Sequence, residues 1–276
     1  MCLSPASHIL TLVPPLFKRV QYKFKRTIFW TFLFVKSTSA FFYRPIISLN
    51  DYSVSKIYGY FQFRFKFIIP KEFRLHRTYF TQQGRGFGED AFHAFWYQVF
   101  KEFRPIRCLE IGVYRGQTVS LWQLLSQHFG IKNTSIYGMT PLVAANDEVS
   151  LYPDLDYKSD ILQNFENFAI PPIEFFQDYS TSNPSQTFIR AGSWDLVYID
   201  GGHDFDIVKK DFENALYGLR PNGILVLDDS SLFLEYRPIV GAFKGHPGPS
   251  RVLSEFAIKE MEHLLTVGHL NLLRKY

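Results

Sequence analysis

Residues 195–231 read DLVYIDGGHDFDIVKKDFENALYGLRPNGILVLDDSS, and this stretch decides the fold. Val197-Tyr198-Ile199 is an apolar run that ends in Asp200, with His203 three residues later. Ile224-Leu225-Val226-Leu227 ends in Asp228-Asp229. Between the two runs, Asp204 to Leu219 has the length of a helix and stops at Pro221-Asn222-Gly223. Strand, helix and strand at this spacing form a βαβ unit, whose strands run parallel. Both acidic ends then leave the sheet at one edge, roughly 5 Å apart if the strands are neighbours. Ligands of open α/β sheets bind at that carboxyl edge. Three carboxylates there repel one another unless positive charge sits among them, and a hard divalent cation is the simplest source. The same acids would also serve to cap a turn and to accept strand-end hydrogen bonds.

The pattern repeats upstream. Arg107 to Ile111 reads as a first strand, followed by the turn Gly112-Val113-Tyr114-Arg115-Gly116 and a helix from Gln117 to about Phe129, with Gly130 as its C-terminal cap. Ser135–Met139 is a second strand, Ile173–Gln177 a third and Trp194–Ile199 a fourth, with a helix around Asp160–Phe168. Leu264–Val267 and Leu270–Leu273, flanking Gly268-His269, suit two late strands. Strands alternating with helices predict an α/β fold with a doubly wound, mostly parallel sheet. A helix is expected from Glu89-Asp90 to about Phe103, after the glycine-rich stretch Gly84-Arg85-Gly86-Phe87-Gly88.

Charge divides the chain. Residues 1–80 hold 13 Lys and Arg against two acids, a net of +11, and the remainder holds 17 against 24, a net of −7. We therefore expect a basic, aromatic-rich extension over residues 1–80 and the main domain over residues 81–276. Such an extension could touch anionic lipid, and peripheral membrane contact is one reading of it. The other is a solvated basic face on an acidic domain, and nothing else points to nucleic acid. The apolar run at residues 28–35, IFWTFLFV, is far short of the roughly 20 residues that span a bilayer. Two cysteines, Cys2 and Cys108, make neither a disulfide framework nor a cysteine metal site, so a cytoplasmic setting is expected. Nothing in the pattern speaks for or against a homo-oligomer.

Glu110-Ile111-Gly112-Val113-Tyr114-Arg115-Gly116 follows a strand and opens a helix. Glycines there allow a sharp turn and close backbone approach to a ligand. Dinucleotide sites also use such turns, which keeps a nicotinamide oxidoreductase open as a second reading, and a non-catalytic protein with a decayed site as a third. The acid before the first glycine differs from that fingerprint and resembles motif I of class I S-adenosylmethionine-dependent methyltransferases. Together, CLEIGVYRGQTVSLW, YIDGGHDFDIVKKDF and PNGILVLDDSS resemble the group that includes macrolide-sugar O-methyltransferases and cephalosporin-hydroxylase-like proteins.

The resemblance implies S-adenosylmethionine seated by Glu110, Gly112, Tyr114 and Gly116, with Thr140 at the ribose and Asp178, Ser180 and Asp200 lining the rest. Thr140 stands where the second strand usually ends in an acid, and Tyr114 replaces the middle glycine of the turn. It further implies magnesium held by Asp200, Asp228 and Asp229, with His203 as the general base. Imidazole, with an ordinary pKa of about 6.5, suits that role. The implied acceptor is a hydroxyl of a sugar, glycan or glycosylated small molecule. His246 and Arg251, in a loop after the fifth strand, are secondary candidates for substrate contact, and His269 is expected to be structural.

Overall fold

The structure is a computed structural model that describes residues 43–144, 152–235 and 243–276. The apolar run at residues 28–35 lies outside the described residues, as do parts of the loops after the second and fifth strands. Among the described residues no helix is long and apolar enough to cross a membrane.

Seven strands form one sheet in the order β3-β2-β1-β4-β5-β7-β6. They are β1 (Arg107–Ile111), β2 (Ser135–Met139), β3 (Glu174–Phe176), β4 (Trp194–Ile199), β5 (Leu219–Leu227), β6 (Met261–Val267) and β7 (Leu270–Lys275). The first five are mutually parallel. β7 enters antiparallel beside β5, and β6 pairs antiparallel with β7 as a hairpin turned at Gly268. The chain order reverses between β1 and β4, which opens a crevice at the carboxyl edge.

β4 and the last residues of β5 are buried throughout, as parallel strands covered on both faces must be. One face carries Leu109, Val197, Leu225, Leu227 and Leu273 in a core with Trp194 and Phe212. The register sets the site. Ile111, Ile199 and Leu227 lie side by side across β1, β4 and β5, so the residues after them emerge level. The backbone ladder continues one step further, with Asp200 N–H donating to Ile111 O at 2.8 Å and Asp228 N–H to Ile199 O at 3.0 Å.

The longer α-helices among the described residues are α1 (Val54–Phe67), α2 (Lys71–Thr81), α3 (Asp90–Phe103), α4 (Gln117–His128), α5 (Tyr157–Asn167), α6 (Asn183–Ala191), α7 (Phe205–Gly218) and α8 (Pro247–Val252). Residues Tyr43–Tyr276 form one compact unit, so α1 and α2 belong to it although their sequence falls in the basic stretch. Phe61, Phe63, Phe73 and Phe80 on these two helices are fully buried, which consumes much of the aromatic excess. β5 starts at Leu219, earlier than the expected Ile224. Leu219 pairs with Trp194, and Pro221 to Gly223 bulge out before the register resumes at Ile224. α6 was not expected, although Ser182 caps it by accepting from Ser185 N–H and a proline sits in its first turn.

Candidate functional site

The glycine turn connects β1 to α4 at the crevice. Gly112 has φ +104°, and a Cβ there would lie 2.0 Å from the Asp200 carbonyl oxygen. Only glycine permits that approach, which joins the ends of β1 and β4. Arg115 anchors the same turn from the side. Its guanidinium donates to both oxygens of Asp160 on α5, at 2.7 and 2.6 Å, and Arg85 donates to the same carboxylate at 2.8 Å. Burial raises the Asp160 pKa, but Arg115 and Arg85 outweigh it and hold the carboxyl below its ordinary range. The backbone amide side of Gly88 meets Gln117 Oε1 at 3.4 Å, and a Cβ at Gly86 would collide with the same amide group. The glycine-rich segment thus lies across the start of α4.

Glu110 is almost fully buried. Burial pushes its carboxyl up to about 8, partly opposed by hydrogen bonds from Thr118 and Val119, with Asp228 adding repulsion. Among the described residues its Oε2 has no hydrogen-bond partner. An orphaned buried acceptor at the mouth of a glycine turn is a place for a ligand's donor.

The acid corner is built on β4 and β5. Asp200 and Asp228 share a hydrogen bond, and both carboxyls are raised, first by burial and then by neighbouring charge, that of Asp228 on Asp200 and that of Asp229 on Asp228. Tyr198 O–H donates to Asp228 Oδ2, and Asp229 N–H donates to Asp228 Oδ1 at 2.7 Å. Asp229 behaves oppositely. Burial would raise it, but His203, His269 and His246 hold it below its ordinary range, so it stays an anion. Its φ of +48° is sparsely populated for a residue with a side chain. That conformation is held by His246 N–H donating to Asp229 O at 2.8 Å and by Gly245, where a Cβ would meet that same oxygen at 2.1 Å.

Three histidines surround Asp229. His203 Nε2 lies 3.1 Å from Asp229 Oδ2. The His246 ring stacks on His203 with centroids 3.9 Å apart and planes 17° from parallel. His269 Nε2 is 3.4 Å from Asp228 Oδ1 and 3.7 Å from Asp229 Oδ1. The ligand atoms of Asp228, Asp229 and His269 all lie within 4.8 Å of one another, as do those of His203, Asp229 and His246. Asp200 belongs to neither group. The expected set of three acids is therefore joined by histidines.

One cavity of about 750 Å³ takes in both ends of this site, from Glu110, Gly112 and Tyr114 to Asp200, His203 and Asp229. Thr140, Asp178 and Ser180 also line it. Their polar atoms are largely committed within the protein. Asp178 accepts from Tyr179 N–H at 2.8 Å and from Ser182 O–H at 2.6 Å. Ser180 O–H turns to the buried Asp211 on α7 at 3.1 Å. Thr140 Oγ1 accepts from Leu142 N–H at 3.3 Å, which leaves its hydroxyl hydrogen for another acceptor. Arg251 is not among the lining residues; it pairs with Glu255 at 3.1 Å and covers Phe205. His269, expected to be structural, lines the cavity beside the acids. Sequence reading also passed over Arg85 and Asp160, which are far apart in the chain and meet only at the glycine turn.

Residues 109–230 match the family model described as a methyltransferase domain. No curated protein matches the chain. Among solved structures, the chain is similar to a methyltransferase of Podospora anserina bound to S-adenosylhomocysteine, at 16% identity and a TM-score of 0.52, covering 75% of this chain and 89% of that one. An O-methyltransferase of Bacillus cereus, also with S-adenosylhomocysteine, gives 14% identity and 0.53 over 81% of this chain and all of the other. An O-methyltransferase of Streptomyces achromogenes with S-adenosylmethionine gives 13% and 0.52, over 77% and 94%. At such identities the likeness is one of fold. The domain match, on that fold, speaks for a methyltransferase over a nicotinamide oxidoreductase. Residues 109–230 thus match a methyltransferase domain, carried on the fold of these S-adenosylmethionine- and S-adenosylhomocysteine-bound methyltransferases.

Proposed function

We propose that the chain methylates a hydroxyl of a sugar, glycan or glycosylated small molecule, with a divalent cation at the acid corner. The observation that carries the reading is the His203–Asp229 pair, which lies in the same cavity as the glycine turn. Asp229 is an anion and accepts from His203 Nε2–H, which fixes the tautomer and makes Nδ1 the nitrogen that takes the acceptor's proton. The unpartnered Glu110 Oε2 fits the donor-bearing amino acid end of S-adenosylmethionine. That cofactor supplies a methyl group on a good leaving group, so the protein's task is alignment and deprotonation.

Asp228 and Asp229 stand close enough to share a divalent cation, and Asp200 adjoins them through its hydrogen bond to Asp228. When bound, such an ion lowers the pKa of a coordinated hydroxyl. A polyol acceptor suits the remaining walls. Phe92, Trp96 and Phe243 offer apolar faces to carbon-bound hydrogens, and the carboxylates accept from hydroxyls.

The test is methyl transfer from S-adenosylmethionine to a panel of sugars and glycosides by the purified chain, with and without EDTA. The expected result is transfer to at least one glycoside, abolished by EDTA and by Asp228→Ala. Full activity in EDTA, or in that variant, would remove the cation from the reading. Transfer only to non-glycosidic acceptors would remove the sugar.

A further inference from the structure

His269 sits in the turn between β6 and β7, beside the acid pair. Its Nδ1 lies 3.2 Å from the Phe243 carbonyl oxygen. A carbonyl only accepts, so Nδ1 carries the hydrogen and the chemistry of the ring falls to Nε2. The ring is held edge-on by Phe92 at 4.7 Å and Phe243 at 5.7 Å, and its side chain is 12% exposed. Nε2 therefore has one direction to face, and it faces Asp228 Oδ1 and Asp229 Oδ1.

A lone pair pointed at two carboxylate oxygens is repelled unless a cation or a proton lies between. The separations of 3.4 and 3.7 Å exceed the roughly 2.7–2.9 Å of a charge-assisted hydrogen bond. They are near the ~3 Å spacing of adjacent ligands around an ion about 2.1 Å from each. A ring nitrogen that donates to a backbone carbonyl while its partner faces acids is the usual support of a metal-ligating histidine. The second group is a poorer cage. The rings of His203 and His246 are stacked nearly parallel, so their in-plane lone pairs run side by side and do not converge.

We infer that His269 Nε2 ligates the cation together with Asp228 and Asp229, and that this mixed nitrogen–oxygen set selects a borderline divalent ion such as manganese, iron, cobalt or zinc over magnesium. The inference rests on the cation reading above and adds its ligand and its class. Imidazole favours such ions, whereas magnesium prefers oxygen ligands and dehydrates reluctantly.

The experiment uses the purified full chain, stripped with EDTA and titrated calorimetrically with Mn²⁺ and with Mg²⁺, followed by pulsed electron paramagnetic resonance of the Mn²⁺ form. Expected are Mn²⁺ binding at least about tenfold tighter than Mg²⁺, and a directly bound ¹⁴N signal. His269→Ala should lose about tenfold or more in Mn²⁺ affinity while Mg²⁺ affinity barely moves. The ¹⁴N signal should vanish in His269→Ala and persist in His203→Ala, with S-adenosylhomocysteine binding showing that each variant is folded. If His269→Ala fails to fold, the wild-type and His203→Ala spectra decide. Cation binding without a ¹⁴N signal, or with one that survives His269→Ala, overturns the inference and leaves the cation reading standing. No cation binding by the wild type overturns both and makes His269 an imidazolium paired with the two acids.

Discussion

Gly112 and Asp200 are packed backbone to backbone, with the φ of +104° at Gly112 and the Asp200 carbonyl filling the space a Cβ would need. This contact ties the cofactor turn of β1 to the acid end of β4. Gly112→Ala is expected to destabilise the fold by about 3 kcal/mol or more, combining backbone strain with overpacking. Chemical denaturation measures the loss. S-adenosylhomocysteine binding should weaken in the fraction that remains folded. A variant with wild-type stability would show that the two strand ends are not coupled.

Glu110 offers a proton-linked prediction. Its carboxyl is pushed up to about 8, from an ordinary 4.5, chiefly by burial. In the ligand-free protein its favourable contribution is complete below about 4.5 and is lost as pH rises through 8. A cationic cofactor placed beside it reverses that preference and favours the ionised form. S-Adenosylmethionine binding at pH 7 should therefore release close to one proton. Calorimetry in two buffers of different ionisation enthalpy reads the number directly. Glu110→Gln should bind without that release, and an unchanged release would acquit Glu110.

His203 supplies the kinetic prediction. His203→Ala is expected to lower kcat by about 10²–10⁴-fold, the usual weight of general-base catalysis. KM for S-adenosylmethionine should stay within about threefold, because the residue lies at the acid corner and not at the glycine turn. A loss confined to KM would assign His203 to binding.

Asp211 tests how the wall behind the cavity is held. Burial pushes this carboxyl up to about 7 from an ordinary 3.8, partly opposed by the Ser180 hydroxyl. Stability from the protonated form is complete below the lower value and lost as pH climbs to the upper one. Asp211→Asn keeps an acceptor for Ser180 and removes the penalty of ionisation. Its stability should exceed that of the wild type at pH 8 by about 2–4 kcal/mol, with the gap closing near pH 4. Thermal melts at the two pH values decide, and a gap independent of pH would rule out ionisation as its cause.

Much of the architecture was written in short-range pattern. The apolar runs at β1, β2, β4 and β5 and the hairpin at Gly268 appear where their residues predict them. Runs of buried parallel strand need no distant partner to be recognised. The level emergence of Asp200 and Asp228 also follows from two neighbouring strands that end in acids. Fewer of the individual contacts were legible. Asp178 and Ser180 line the cavity as expected, yet their polar groups are engaged by Tyr179, Ser182 and Asp211. A side chain's hydrogen-bond partner depends on its rotamer, which sequence spacing does not encode.

The sequence by itself determined that this chain is an α/β protein with a glycine turn and an acid-ended βαβ unit, because both features arise from residues close together in the chain. Only the tertiary structure decided that His246 and His269 join His203 at the acids' corner. His269 arrives because β7 runs antiparallel beside β5, which brings the β6–β7 turn against Ser230, whose N–H donates to His269 O at 3.1 Å. His246 arrives because Gly245 closes onto Asp229. Both contacts depend on backbone pairing between segments that no local periodicity connects.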